Sequence, residues 1–200
     1  VIVETRDGSG FGLLTALGNG GTSIYAPIGR ALAPERLRHD WRMTHEFVHV
    51  GFPNLERRHA WLEEGLATYL EPIARARRGR HAPHAIWAEL VRSLPQGQPG
   101  PGDRGLDHTP TWGRRYWGGA LFCFAADVEI RRATGNQRSL VDAVRAIHAA
   151  GGDGRARWPI ARALAVGDAA VGVPVLSRLY AEHASSAVRV DLDALLAELR

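Results

Sequence analysis

The sequence predicts an α+β fold, in which a small N-terminal antiparallel sheet precedes a mostly helical bundle. Strand-like segments occur in the first 30 residues, where "VIVET", "FGLLTAL" and "TSIYAPI" are separated by glycine-rich turns. From Pro34 onwards, apolar residues recur at helical spacing instead. Because 200 residues suit one domain, we expect a single unit with a strand-rich edge (1–30) and a helical remainder (31–200).

The turn sequences predict how the strands connect. "RDGSG" is typical of a hairpin between the first two strands, and "GNGG" is typical of a turn before the third. We therefore expect consecutive strands to pair in antiparallel fashion.

The first predicted helix runs from Pro34, which suits a first helical position, to Gly51 and Pro53, which end it. One face of this helix is expected to point inward, and it carries Leu37, Trp41, Thr44 and Val48. A second helix is predicted from about Asn54 to Glu71, before Pro72. Further helices are predicted near 84–94, 115–134, 138–150, 157–169, 174–184 and 191–200, the last capped by Asp191.

A loop rich in proline and glycine is predicted at 95–107. It leads into "DHTPTW" (107–112). A loop of this length inside a compact domain is often functional, so 95–112 is a candidate lid or substrate rim, and disorder is the alternative.

Composition argues against several classes of partner. All 25 basic residues are arginine, and they are scattered rather than clustered with aromatic residues, so no nucleic-acid partner is predicted despite the pI near 9.9. No apolar stretch reaches the roughly 18 residues that a transmembrane helix needs. The lone Cys123 lies in an apolar helical stretch and is expected to be a buried thiol. Nothing in the sequence indicates the oligomeric state.

The chain begins with Val1 rather than methionine. We therefore expect a processed or excerpted segment and, for a hydrolase, an extracytoplasmic location, either secreted or membrane-anchored.

The segment "RMTHEFVHVG" (42–51) places two histidines four residues apart. On a helix such residues lie one turn apart on the same face, so His45 and His49 can direct ring nitrogens at one metal ion. Glu46 lies at the edge of that face, where it can act as a general base without binding the metal. The alternative is a pair of surface histidines beside a solvated glutamate.

A catalytic zinc ion usually has three protein ligands. The following segment, "HAWLEEGLATYLEP" (59–72), offers Glu63 and Glu64. Successive residues differ by about 100° around a helix, so only one of the two can face the ion. Helical periodicity does not choose between them.

Together, His45-Glu46-x-x-His49 and Trp61-Leu62-x-Glu64-Gly65-x-Ala67-x-Tyr69 resemble the gluzincin metallopeptidases, in particular the aminopeptidase N and glycyl aminopeptidase families. The resemblance implies a thermolysin-like catalytic domain with its active site at 45–64 and 116. It also implies a Zn²⁺ ion bound by His45, His49 and Glu64.

The segment "YWGGA" (116–120) resembles the Y-x-x-G-A context of the same families. It implies that Tyr116 donates a hydrogen bond to the developing oxyanion. Glu71 lies seven residues after Glu64 on the same helix face and is a candidate second-shell acceptor for a ligand imidazole. A solvated glutamate at a helix end is the alternative for Glu71.

The sequence also departs from these families. Only 14 residues separate His49 from Glu64, a shorter connection than in aminopeptidase N relatives, and Gly118 stands where the tyrosine motif usually has lysine. No Gly-x-Met-Glu-Asn segment, which binds the free amine of a substrate, precedes the first histidine. These departures leave aminopeptidase specificity open.

The functional expectation is a zinc peptidase that acts on a peptide or protein substrate, with Glu46 as general base and Tyr116 as oxyanion donor. Two alternatives are kept. One is a catalytically inactive binding module with the same fold, and the other is a zinc hydrolase of a non-peptide amide or an ester.

Overall fold

Helices make up most of the molecule, and a small sheet lies at its N-terminal end. The computed structural model describes residues 1–10, 12, 14–18, 21–38, 40–79 and 82–197. The strands in this part are β1 (Ile2–Arg6), β2 (Leu14–Gly18) and β3 (Gly21–Gly29). The helices are α1 (Pro34–Arg38), α2 (Arg42–Val50), α3 (Ala60–Arg77), α4 (Pro83–Ser93), α5 (Gly119–Ala133), α6 (Leu140–Ala149), α7 (Ile160–Val171), α8 (Val175–His183) and α9 (Leu192–Ala197). The mixed, mainly helical architecture agrees with the predicted fold class.

The sheet is mixed, so the prediction of a wholly antiparallel sheet is wrong. Its strand order is β1-β3-β2, with β1 parallel to β3 and β2 antiparallel to it. β3 contains the buried Ile24 and Ala26, whereas every residue of β1 is exposed. β3, which is more buried than β1, therefore takes the central position, where both of its edges are hydrogen-bonded.

The segment after β1 explains why no hairpin joins β1 to β2. The chain turns at Gly8, whose φ of +91° favours glycine. It then remains bonded to the end of β3: the amide of Gly29 donates to the carbonyl of Gly10 (2.7 Å), and that of Ala31 to Gly8 (3.0 Å). β2 consequently pairs with the opposite edge of β3. Residues 11, 13, 19 and 20 of the predicted second strand and its turn lie outside the described residues.

The predicted first helix is two helices, α1 and α2, because Asp40 interrupts it. The Asp40 carboxylate accepts a hydrogen bond from the backbone amide of Arg42 (2.8 Å), a local bond that competes with continuation of the helix. Trp41 therefore stands at the start of α2 and is 45% exposed, not inward as predicted.

Both ends of α3 differ from the prediction. At the N-terminal end, Asn54 bonds a distant segment: its backbone amide donates to Ala156 (2.9 Å) and its side chain donates to Gly154 (3.0 Å). Asn54 therefore does not cap a helix, and a short 3₁₀ turn (Arg57–His59) leads into α3. At the other end, α3 continues past Pro72 to Arg77. Proline removes one backbone donor, but Ile73 packs against the core and stabilises the continuing helix.

The core is organised around the contact between α3 and α5. No side chain separates the two helices at Gly65 and Gly119: a Cβ atom on Gly65 would lie 2.7 Å from the backbone nitrogen of Ala120 and still closer to the backbone of Gly119. Phe122 and Phe124 fill the space on either side of this crossing. The buried thiol of Cys123, as predicted, belongs to the same core.

The loop after α4 is anchored by buried carboxylates. Asp103 forms a buried ion pair with Arg114 at 2.7 Å. Asp107 accepts hydrogen bonds from Trp61 (2.7 Å) and Tyr180 (2.8 Å) and is bonded to His59, with 2.9 Å between Nδ1 and Oδ1. This part of the loop is therefore a structural anchor and not the predicted lid.

The remaining helices confirm the predicted positions to within a few residues. Ser139 and Asp142 form a capping box at the start of α6, and Asp191 accepts the amide of Ala194 (2.9 Å) at the start of α9. Residues 198–200 of the predicted last helix lie outside the described part. Among the described residues, no helix is both long and apolar enough to cross a membrane.

We predict that Gly65→Ala lowers the free energy of unfolding by about 3 kcal/mol, because the added methyl group has only backbone atoms to displace. Urea denaturation measures the effect. Gly100→Ala is the matched control, since nothing lies within 4 Å of a Cβ atom at that position. Equal stabilities of the two variants would contradict the close packing of α3 and α5.

We also predict that Asp107→Asn costs about 3 kcal/mol of unfolding free energy, because the amide nitrogen would face buried donors that a carboxylate satisfies. The exposed Asp193→Asn is the control and should change stability by less than about 0.5 kcal/mol. If Asp107→Asn lowers the free energy of unfolding no more than the control does, the hydrogen bonds of Asp107 do not stabilise the fold.

Candidate metal centre

Helix α2 brings His45 and His49 together. Their positions one turn apart place the two imidazole centroids 5.0 Å from each other. His45 is buried, with 5% of its surface exposed, and the side chain of His49 is 14% exposed. The two rings are therefore largely shielded from water, unlike the surface histidines of the alternative interpretation.

Helix α3 contributes the third group of the cluster. Oε2 of Glu64 lies 3.3 Å from Nε2 of His45 and 3.4 Å from Nε2 of His49. One potential ligand atom from each of the three residues lies within 4.8 Å of the others. Four tetrahedral ligands at about 2.0–2.1 Å from zinc are separated by about 3.4 Å from one another, so this donor set fits a zinc ion.

The electrostatics of the cluster favour a charged Glu64. Burial by itself raises the pKa of this carboxyl, but the hydrogen bonds and electrostatic attraction from His45 and His49 outweigh it and lower the pKa to about 2. For His49 the two effects have the opposite signs: burial by itself lowers its pKa, and Glu64 raises it. The pKa of His49 is raised overall. Two imidazoles and one carboxylate therefore lie close enough together to hold a divalent cation.

The structure separates the roles of the two adjacent glutamates. The carboxyl of Glu63 accepts the backbone amide of Leu55 (3.1 Å) in the connection between α2 and α3, and it acts on His49 through its charge. Burial raises the pKa of Glu63 to about 7. Glu64 is thus the glutamate that faces the imidazoles, in agreement with the residue that the gluzincin resemblance implied.

Tyr116 lies at the edge of the cluster on a π-helical turn (Arg114–Gly118) that leads into α5. Such turns often occur at functional sites. Its ring stacks 6.2 Å from that of His45. Burial, together with the charge of the Glu64 carboxylate and a hydrogen bond to it, raises the pKa of Tyr116 to about 12.

Glu46 is half-buried beside the same groups. Its negative charge acts on both His49 and Tyr116 and raises the pKa of each. The predicted base and the predicted oxyanion donor therefore both lie near the imidazole pair.

Glu71 is buried and not solvated at a helix end, so that alternative is wrong. Only 7% of its surface is exposed, and its carboxylate accepts a hydrogen bond from Arg75 (2.9 Å). Its charge also acts on His45. Its role as a second-shell acceptor for the imidazole stays a prediction.

Sequence reasoning missed an aromatic cleft of about 280 Å³ beside His45 and Tyr116. Its walls include Trp41, Trp112 and Trp117. Trp41 lies 5.5 Å from the ring of His45, and Trp112 stacks 5.5 Å from that of Tyr116. Trp112, at the end of the predicted loop (95–112), is the residue of that loop that lines this cleft, and the loop's role as a substrate rim stays a prediction.

His59 lies in the interior, with 0% of its surface exposed. Its Nδ1 lies 2.9 Å from Oδ1 of Asp107, and its Nε2 accepts a hydrogen bond from Arg58 (3.1 Å). Because both ring nitrogens are bonded, His59 is part of the scaffold and not a metal ligand. His39 lies outside the described residues.

Comparison with known proteins identifies no relative. No protein-family model matches the chain, and no curated protein shows significant similarity to it. The functional argument therefore rests on the geometry of the site.

We predict that the protein binds about one zinc ion per chain and that Glu64→Gln weakens binding at least 100-fold, because an amide is a poor replacement for a charged ligand. Glu63→Gln is the adjacent control and should keep its zinc, since that side chain bonds only the connecting loop. Metal analysis after dialysis and competition with a chromogenic chelator measure both. Equal losses in the two variants would contradict the assigned ligand set.

Proposed function

We propose that the protein is a zinc-dependent peptidase of the gluzincin type, with a thermolysin-like arrangement of its catalytic helices. The observation that carries the proposal is the convergence of His45, His49 and Glu64 at separations suited to tetrahedral zinc. In a site of this kind, zinc supplies a Lewis acid that polarises a carbonyl group and acidifies water.

The residues around the cluster provide the other groups that hydrolysis needs. Glu46 is half-buried and lies next to His45, where its carboxylate can take a proton from the attacking water and return it to the leaving amine. It is not one of the three residues of the cluster, so its carboxylate can exchange protons during turnover while the ligands stay in place.

Tyr116 is suited to stabilising the oxyanion. With a pKa raised to about 12, its phenol keeps its proton at neutral pH and can donate it in a hydrogen bond. In the absence of substrate the donor is directed at Glu64. The oxyanion that develops on a substrate carbonyl during hydrolysis would offer this hydroxyl a second acceptor.

The aromatic cleft supports a peptide as substrate. It lies directly beside His45 and Tyr116 and is mainly apolar, so it can accept a large apolar side chain next to the bond being cleaved. Recognition of a side chain favours a peptide over a small ester or amide that lacks one.

We predict that Glu46→Gln lowers peptide hydrolysis by about 10²–10⁴-fold without loss of zinc, because it removes the base and leaves the ligands in place. A panel of N-terminally blocked and unblocked peptides, with an ester of matched sequence, measures the activity. Cleavage of blocked peptides would identify an endopeptidase, and cleavage of unblocked peptides alone an aminopeptidase. A zinc-loaded protein that cleaves none of the peptides would contradict the proposal.

Tyr116→Phe should lower kcat by about 10²–10³-fold with little change in KM, because the hydrogen bond to the oxyanion forms only in the transition state. Tyr25→Phe is the control, since the Tyr25 hydroxyl bonds Arg6 in the sheet. A change in KM alone would assign Tyr116 to substrate binding instead.

A further inference from the structure

A second cleft, of about 370 Å³, is lined by three arginines, Arg57, Arg58 and Arg115. We call it the arginine cleft. It lies between the start of α3 and the loop that leads to Tyr116, and it shares no lining residue with the aromatic cleft. Its remaining lining residues are Trp61, Leu106, Asp107, Thr109 and Pro110.

The one carboxylate among these lining residues does not neutralise the arginines. The side chain of Asp107 is 5% exposed. Its Oδ1 accepts the Trp61 indole (2.7 Å) and contacts His59, and its Oδ2 accepts the Tyr180 hydroxyl (2.8 Å). These bonds occupy both carboxylate oxygens, and in the described part of the chain neither oxygen bonds an arginine of the cleft.

Two of the three guanidinium groups are poorly compensated by the rest of the protein. Arg58 has partners, because its Nε donates a hydrogen bond to His59 (3.1 Å) and faces Glu56 at 3.2 Å. Within the described part of the chain, Arg57 and Arg115 form no ion pair with a carboxylate. Arg115 is also half-buried, so part of its hydration is lost without a negative partner in return.

The volume and the lining residues of the arginine cleft indicate what kind of ligand it can bind. Guanidinium groups bind the oxygens of carboxylates and phosphates with paired hydrogen bonds. At about 30 Å³ for each water, the cleft holds roughly a dozen waters, which is more than a bare oxyanion displaces. Leu106 and Pro110 add apolar surface. The ligand that fits is an organic molecule with an anionic end.

We propose that the arginine cleft binds the carboxylate or phosphate group of an organic ligand. The site stands apart from the zinc cluster, and its occupation does not depend on peptidase activity.

The test is calorimetric titration at constant ionic strength with three probes: N-acetyl-dialanine, its C-terminal amide and phenyl phosphate. The native protein is compared with Arg57→Gln, Arg115→Gln and the control Arg92→Gln, an exposed arginine on α4. Constant ionic strength is required because salt screens exposed charges.

We expect at least tenfold weaker anion binding in the first two variants and less than a twofold change in the control. Binding of the free carboxylate but not the amide identifies a carboxylate ligand, and binding of phenyl phosphate alone identifies a phosphate ligand. Because Arg57 is exposed, its variant should fold even if Arg115→Gln does not.

Titrations before and after zinc removal separate this site from the metal centre. Affinity that is unchanged by a chelator and reduced by the arginine substitutions assigns the anion to the arginine cleft. The proposal is overturned if no probe binds at millimolar concentration, if all three variants bind equally, or if zinc removal abolishes binding.

Discussion

The arrangement of the site depends on one backbone contact, the crossing of α3 and α5 at Gly65 and Gly119. Glu64 directly precedes the first glycine, and Tyr116 is three residues before the second. The contact therefore sets how closely the carboxylate and the phenol approach. A side chain at either glycine would force the helices apart and separate the two groups. The positions of Glu64 and Tyr116 are thus fixed by backbone packing as well as by contacts between the two side chains.

Buried aspartates connect the helices around this crossing. Asp127 accepts hydrogen bonds from Tyr69 of α3 and from the amide of Leu140 at the start of α6. Asp168 accepts the amides of Leu176 and Ser177 at the start of α8. Each carboxylate has several donors, which offsets the cost of its burial. The scaffold is therefore satisfied internally, whereas the His45–His49–Glu64 cluster and the arginine cleft are where the proposed cation and anion would bind.

The helical periodicity of the sequence predicted most helices well, because the pattern that buries one helix face is local. Two errors of the prediction arose where non-local bonds decided, and a third arose where a local side-chain bond interrupted a helix. The strands were predicted to pair consecutively, but the segment after β1 bonds the end of β3 and makes β1 parallel to it. The first helix was predicted as continuous, but Asp40 bonds the amide of Arg42. Asn54 looked like a helix cap, yet it bonds a segment a hundred residues further along the chain.

By itself, the sequence determined that His45 and His49 share a face with Glu46 beside them, because the spacing of residues on a helix is a local property. Only the tertiary structure decided which of Glu63 and Glu64 joins them, since that depends on how α3 packs against α2. The burial of His59 and the two clefts were likewise decided by packing. They form between segments that are distant in the chain, and no local pattern specifies such contacts.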